Sequence, residues 1–234
     1  PVPVSAVLRG AMFNACLLGW LRFLPPDQVA APFWGGLFLV AGFVAALYGV
    51  VIGLTQVNAK TVLAYSSISQ MGLMTVIVGS GLLVPDLWPQ ATAVVSVYAV
   101  HHGLAKGSLF LGVGVAREKW RGGSSPWWLQ MGLWLPALAL AGMPFTSGMI
   151  AKYGMKEIIA QVPEPWHSLA GYLLPLCAMA TMLLLCHGIW LIRPTTGRPE
   201  KKQGRAMLFS WAVNLLAVVT VLWLWPALPI PAGD

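Results

Sequence analysis

The chain has 234 residues, of which 58% are hydrophobic and only 9% charged, with a formal net charge of +7. A soluble domain carries roughly 25% charged residues. The composition therefore excludes a disordered chain and argues against a water-soluble enzyme, because a fold of this size has too little interior to hide so much apolar surface. The positive balance does not read as a nucleic-acid surface, since the basic residues gather in a few loops between apolar runs.

A transmembrane helix needs about 20 apolar residues to cross a hydrocarbon core of roughly 30 Å. On that rule the sequence predicts one all-α transmembrane domain over 1–234, with spans near 4–22, 33–55, 61–83, 91–116, 127–161, 168–192 and 206–228. The segments between them carry the punctuation: Pro25-Pro26-Asp27, Pro85-Asp86, 117–125, Pro163-Glu164-Pro165 and 193–205. The chain opens at Pro1 with no basic leader and no cleavage signal, the pattern expected of a segment from within a longer polypeptide.

Charge sets the expected orientation. Lys60, Arg117, Lys119, Arg121, Arg193, Arg198, Lys201, Lys202 and Arg205 fall on one side, and Arg22 alone on the other. The positive-inside rule puts the basic side in the cytoplasm, so the N-terminus is expected inside and the C-terminus outside, in a bacterial inner membrane.

The fifth segment is too long for one straight crossing, since 35 residues at 1.5 Å each rise about 52 Å. It carries Gly142-Met143-Pro144-Phe145-Thr146-Ser147-Gly148 at its middle, where a break is expected. Free backbone groups at membrane depth are tolerated only against protein or water, and such breaks line ion pathways; a simple proline kink is the plainer reading. Cys16, Cys177 and Cys186 lie in apolar stretches without a CxxC pair and are expected as small buried hydrophobes. Gly112-Val113-Gly114 lacks the rest of a dinucleotide loop and reads as helix packing.

Charges inside the spans carry the functional signal. Lys106 lies ten residues before Ala116, about 15 Å from that end of its helix. His102 precedes it by one turn on the same face, with His101 about 100° away and Ser108 close in sequence. A buried lysine and a histidine can both exchange protons near neutral pH, so the pair reads as two stops on a proton wire. The alternative is a lysine paired with a carboxylate on a neighbouring helix. Lys152 follows the break by four residues and fits a channel exit, whereas Lys156, beside Glu157, is expected to snorkel. Arg9 reads as structural or surface. His187 is a secondary relay candidate against a plain hydrogen-bonded histidine. Ser66, Ser67, Ser69 and Gln70 make the inner half of the third span polar, to hold water or to join helices.

Three stretches go beyond composition: 63–72 (LAYSSISQMG), 101–110 (HHGLAKGSLF) and 142–152 (GMPFTSGMIAK). With Pro3-Val4-Ser5-Ala6, they resemble the antiporter-like proton-translocating subunits of respiratory complex I, of Mrp-type sodium/proton antiporters and of membrane-bound hydrogenases. The resemblance implies the last seven of about fourteen helices, with spans two to six forming the second of two inverted repeats and the N-terminal half of the fold missing. It implies Lys106 as the central lysine, His102 as the histidine one turn before it, and Lys152 as the lysine at proton exit. It also implies a non-redox membrane subunit of a proton-translocating oxidoreductase, with no cofactor in this chain. Its partners would be other membrane subunits and the bilayer; the ion is the proton, with sodium coupling left open, and no nucleic acid is involved. The family's glutamate–lysine pair of the first repeat has no counterpart here, and Arg9 stands where many members have an uncharged residue or histidine. Rivals from other classes are a haem-bearing electron-transfer subunit using His101 or His102 with His187, and a transporter of a small solute.

Overall fold

The computed structural model describes residues 13–24, 31–119, 126–144, 146–192 and 205–224. Arg9, the opening Pro3-Val4-Ser5-Ala6 and the basic residues Arg121, Arg193, Arg198, Lys201 and Lys202 lie outside them. Within the described residues the protein is all-helical. The helices are α1 (Phe13–Phe23), α2 (Pro32–Leu54), α3 (Ala59–Leu83), α4 (Trp88–Lys119), α5 (Trp127–Ala141), α6 (Ser147–Ala160), α7 (Trp166–Trp190) and α8 (Arg205–Leu224), with a 3-10 turn, Pro85–Leu87, before α4.

Helix ends follow the punctuation. Pro32 opens α2, where a missing N–H is no loss. Asn58 caps α3, its side chain accepting from the Lys60 backbone N–H at 3.0 Å. Among the described residues three helices, α2, α3 and α7, are long and apolar enough to cross a membrane. The outer faces are apolar too: Phe33, Trp34, Val44, Tyr172, Met179 and Phe209 are all exposed, as a bilayer-facing surface requires. Cys16 belongs to that surface. It is exposed on α1 rather than buried, while Cys177 is buried and Cys186 half-buried.

Helix α4 is the axis, packed against α3, α5, α6 and α8. The tightest pairing is α2 with α3, and glycine explains it. A Cβ on Gly42 would stand 2.7 Å from the Gly72 carbonyl oxygen, and one on Gly49 would stand 2.8 Å from the Ser69 backbone nitrogen. Small residues let two backbones meet where lipid offers no hydrophobic drive to association.

The apolar interior of the described residues falls into three clusters, the smallest being Val50, Val62 and Leu184. One cluster joins α2, α3, α4, α6 and α7 through residues such as Phe43, Met74, Ile77, Tyr98, Ile158 and Cys177. A second joins α3, α4, α5, α7 and α8 through Leu63, Leu109, Phe110, Leu133, Leu185 and Trp211. The buried polar residues of the described helices come from α3, α4, α6 and α7. They include Ser66, Ser67, Ser69 and Gln70 of α3, His101 and His102 of α4, Ser147 of α6 and Thr181 of α7.

Candidate functional site

The site is built around the gap between α5 and α6. Helix α5 ends in a Schellman motif: Gly142 is left-handed at φ 86°, its N–H bonds to the Ala139 carbonyl at 3.0 Å, and the Met143 N–H reaches back to Leu138 at 3.0 Å. Those bonds satisfy two of the last carbonyls and leave the Ala141 oxygen to an outside donor. Lys152 Nζ, one turn into α6, donates to it at 2.7 Å. An ammonium at a helix C-terminus also meets the negative end of the helix dipole. Gly142 makes room for this, since a Cβ there would stand 2.7 Å from Lys152 Cδ.

The start of α6 engages His101. Ser147 Oγ lies 2.6 Å from His101 Nδ1 and donates to the Val218 carbonyl of α8 at 3.3 Å. One hydroxyl has one proton, so Ser147 either donates to Val218 and accepts from Nδ1–H or donates to a bare Nδ1, according to the imidazole tautomer. The ring also meets the Ala139 carbonyl. His101 thus ties α4 to α5 and α6 at the break, and through Ser147 to α8. Gly148 beside it has no room for a side chain, because a Cβ would run into the Ala139 carbonyl.

Lys106 is fully buried. Its Nζ donates to the Leu63 carbonyl at 2.9 Å and to Ser66 Oγ. Ser66 and Ser67 both turn their own hydroxyls back to Leu63, at 3.0 and 3.3 Å, so one carbonyl of α3 gathers three donors. His102 lies within electrostatic reach of Lys106 and of His101, and His101 within reach of Lys152. Among the described residues, both ring nitrogens of His102 and the hydroxyls of Ser69 and Ser108 are buried without a hydrogen-bond partner. Buried polar atoms of this kind are ordinarily satisfied by water.

His187 is elsewhere. Its Nε2 meets the Gln56 carbonyl at 2.9 Å, in the α2–α3 connection, and its ring stacks on Trp190. The buried polar residues also include groups that the spans alone did not single out. Tyr98 donates to Gln70 Oε1 at 2.6 Å, Gln70 Nε2 to Thr181 Oγ1 at 3.2 Å, and Thr181 to the Cys177 carbonyl at 2.8 Å, bracing α4, α3 and α7 together. Ser147 was legible as the residue beside the break. Thr181 and Tyr98 carry no local signal, since an isolated hydroxyl in an apolar helix is common.

Beyond Lys152, toward the α6–α7 turn, a cavity of about 390 Å³ opens between α3, α6 and α7.

Comparison with known proteins follows the same lines. Residues 1–178 match the family described as NADH:quinone oxidoreductase/Mrp antiporter, TM. The chain is 28% identical over 216 residues to a Rhizobium meliloti protein described as a probable K(+)/H(+) antiporter subunit, covering 86% of this chain and 21% of that protein. It is 28% identical to "NADH-quinone oxidoreductase subunit N" of Chromohalobacter salexigens over 248 residues, covering 97% of this chain and 49% of that protein. In fold it is similar to a chain of the Mrp complex from Dietzia sp., with a TM-score of 0.75 and 24% identity, covering 94% of this chain and 25% of that one. The chain therefore spans half or less of the length of these relatives.

Proposed function

Because this chain belongs to the NADH:quinone oxidoreductase/Mrp antiporter family of membrane subunits, we propose that it conducts protons as part of a multi-subunit ion-translocating complex. All seven sequence segments cross the membrane in this reading, the fifth as α5 plus α6, with the basic loops in the cytoplasm of a bacterial cell. The path runs through the buried polar groups. A charge change elsewhere in the complex drives the proton off Lys106. It moves through His102, water and the hydroxyls of α3 to His101, and then to Lys152, from which it leaves through the break.

The observation that carries this reading is that Lys106, His102, His101 and Lys152, buried or half-buried, interact electrostatically in that order. Conduction needs groups that bind and release protons with mobile hydrogen bonds between them. The two unpartnered nitrogens of His102 supply those bonds to water. A carbonyl that collects three donors at Leu63 anchors the Lys106 ammonium without neutralising it.

The test is proton uptake by vesicles carrying the parent complex, wild type against Lys106→Met, with assembly verified in both. Uptake falls at least tenfold if Lys106 is on the path; unchanged uptake in an assembled complex overturns the mechanism. Two parent assemblies fit the names of the relatives, and the driving force separates them. A subunit of an NADH–quinone oxidoreductase takes up protons on NADH addition, and a subunit of a cation/proton antiporter does so on an imposed sodium or potassium gradient.

A further inference from the structure

We infer that the cavity between α3, α6 and α7 is a binding site for one anionic phospholipid, its phosphate on Lys156 and His167 and its acyl chain along the apolar wall. The volume of about 390 Å³ lies within the roughly 300–1,000 Å³ of small-molecule sites. Leu73, Met155 and Leu174 are among the apolar residues lining it, and every polar side chain in the lining, Lys152, Lys156 and His167, is basic. The lining contains no Asp or Glu. The two nearby carboxylates are turned to other work: Glu157 takes a hydrogen bond from Tyr153, and Glu164 takes two from Ser168.

The position suits a lipid. Lys156 and His167 flank the α6–α7 turn, where a helix bundle meets the headgroup region, and the α6 wall runs from Ala160 to Lys152, about 12 Å deeper. His167 Nδ1 meets the Ile159 carbonyl at 3.3 Å, so Nε2 is the ring nitrogen left for a ligand. A phosphodiester with an uncharged headgroup matches this wall, whereas a choline headgroup brings its own cation against two ammonium groups. Basic pockets between membrane helices bind anionic headgroups on the same physical basis. The inference rests on the membrane placement and on the charge of the wall, and does not require Lys152 to carry a proton.

Two photoreactive probes decide it, a phosphatidylglycerol and a phosphatidylcholine with the same diazirine-bearing acyl chain. Each is added in trace amount to vesicles holding the full-length protein in its complex, and crosslinked peptides are mapped. The glycerol probe should label peptides within 155–178 several-fold more than the choline probe. Lys156→Gln should bring the ratio close to one, and Lys156→Arg should restore it; Lys156 is exposed, so neither change threatens the fold. Equal labelling by both probes, a ratio indifferent to Lys156→Gln, or no labelling because a neighbouring subunit covers the cavity would each overturn the proposal. Proton uptake is read separately, so a failed lipid site leaves the proton path standing.

Discussion

Among the described residues Lys152 Nζ donates to the Ala141 carbonyl, which is free to accept because α5 stops at Gly142. The left-handed φ of 86° suits glycine, and other residues pay roughly 1–2 kcal/mol there. Gly142→Ala adds that strain and pushes on Lys152 Cδ, so it should release the Lys152–Ala141 bond while the helices remain. The expected outcome is an assembled complex with proton uptake reduced several-fold. Wild-type uptake would mean that the Ala141 contact does not position Lys152. At this scale the burial of Lys106 and the place of His102 one turn before it were readable from depth and helical pitch, and the place of Lys152 from its distance to the break. The Leu63 carbonyl was not, because a backbone acceptor on another helix leaves no mark in the residue types.

At the scale of elements, α2 and α3 meet through glycine, and their close approach sets where Ser66 to Gln70 face. Gly42→Val would place a branched side chain against the Gly72 carbonyl and the Val76 backbone nitrogen, which a Cβ meets at 2.7 and 3.0 Å. Overpacking of this kind costs about 1–3 kcal/mol. A lowered melting temperature of the purified protein is expected, whereas Gly19→Ala on α1, where nothing lies within 4 Å, should leave it unchanged. The start of α7 offers a pH test outside the membrane. The Ser168 hydroxyl, and then its backbone N–H, hold the Glu164 carboxyl below its ordinary range. A lowered folded value means that the contact is fully present above the ordinary carboxylate range and is lost as pH falls through the lowered value. The hydrogen-exchange protection of the Ser168 amide should therefore drop on acidification in wild type and show no such drop in Glu164→Gln. The helix limits near Pro85, Gly142 and Pro163-Glu164-Pro165 were legible, because these residues restrict the backbone where they stand. The glycine seam was present in the sequence too, but a glycine in an apolar run does not say which helix it faces.

For the whole molecule, the proposed path needs buried polar groups enclosed by apolar packing, and Lys106, His101, His102 and Ser147 are buried in helices that also carry the apolar clusters. The proposed orientation has its own check. In a background without the native cysteines, Glu164→Cys should react with a membrane-impermeant thiol reagent in intact cells, and Lys60→Cys only in inverted vesicles. Labelling of both from one side would remove the orientation and the direction of proton exit with it.

What the sequence determined by itself is local or additive: the membrane class from its composition, the helix ends from Pro and Gly, and the burial of Lys106 from counting residues at a fixed rise. The family, too, was readable from three short stretches, because their spacing survives without the fold. Tertiary structure alone decided which groups meet. Lys106 reaches Leu63 and Ser66, His101 reaches Ser147, and Gln70 bridges Tyr98 and Thr181, all on different helices. Those contacts depend on how each helix is rotated and shifted against its neighbours. Glycine seams and interlocking side chains set that registration, and the periodicity of one helix carries no record of it.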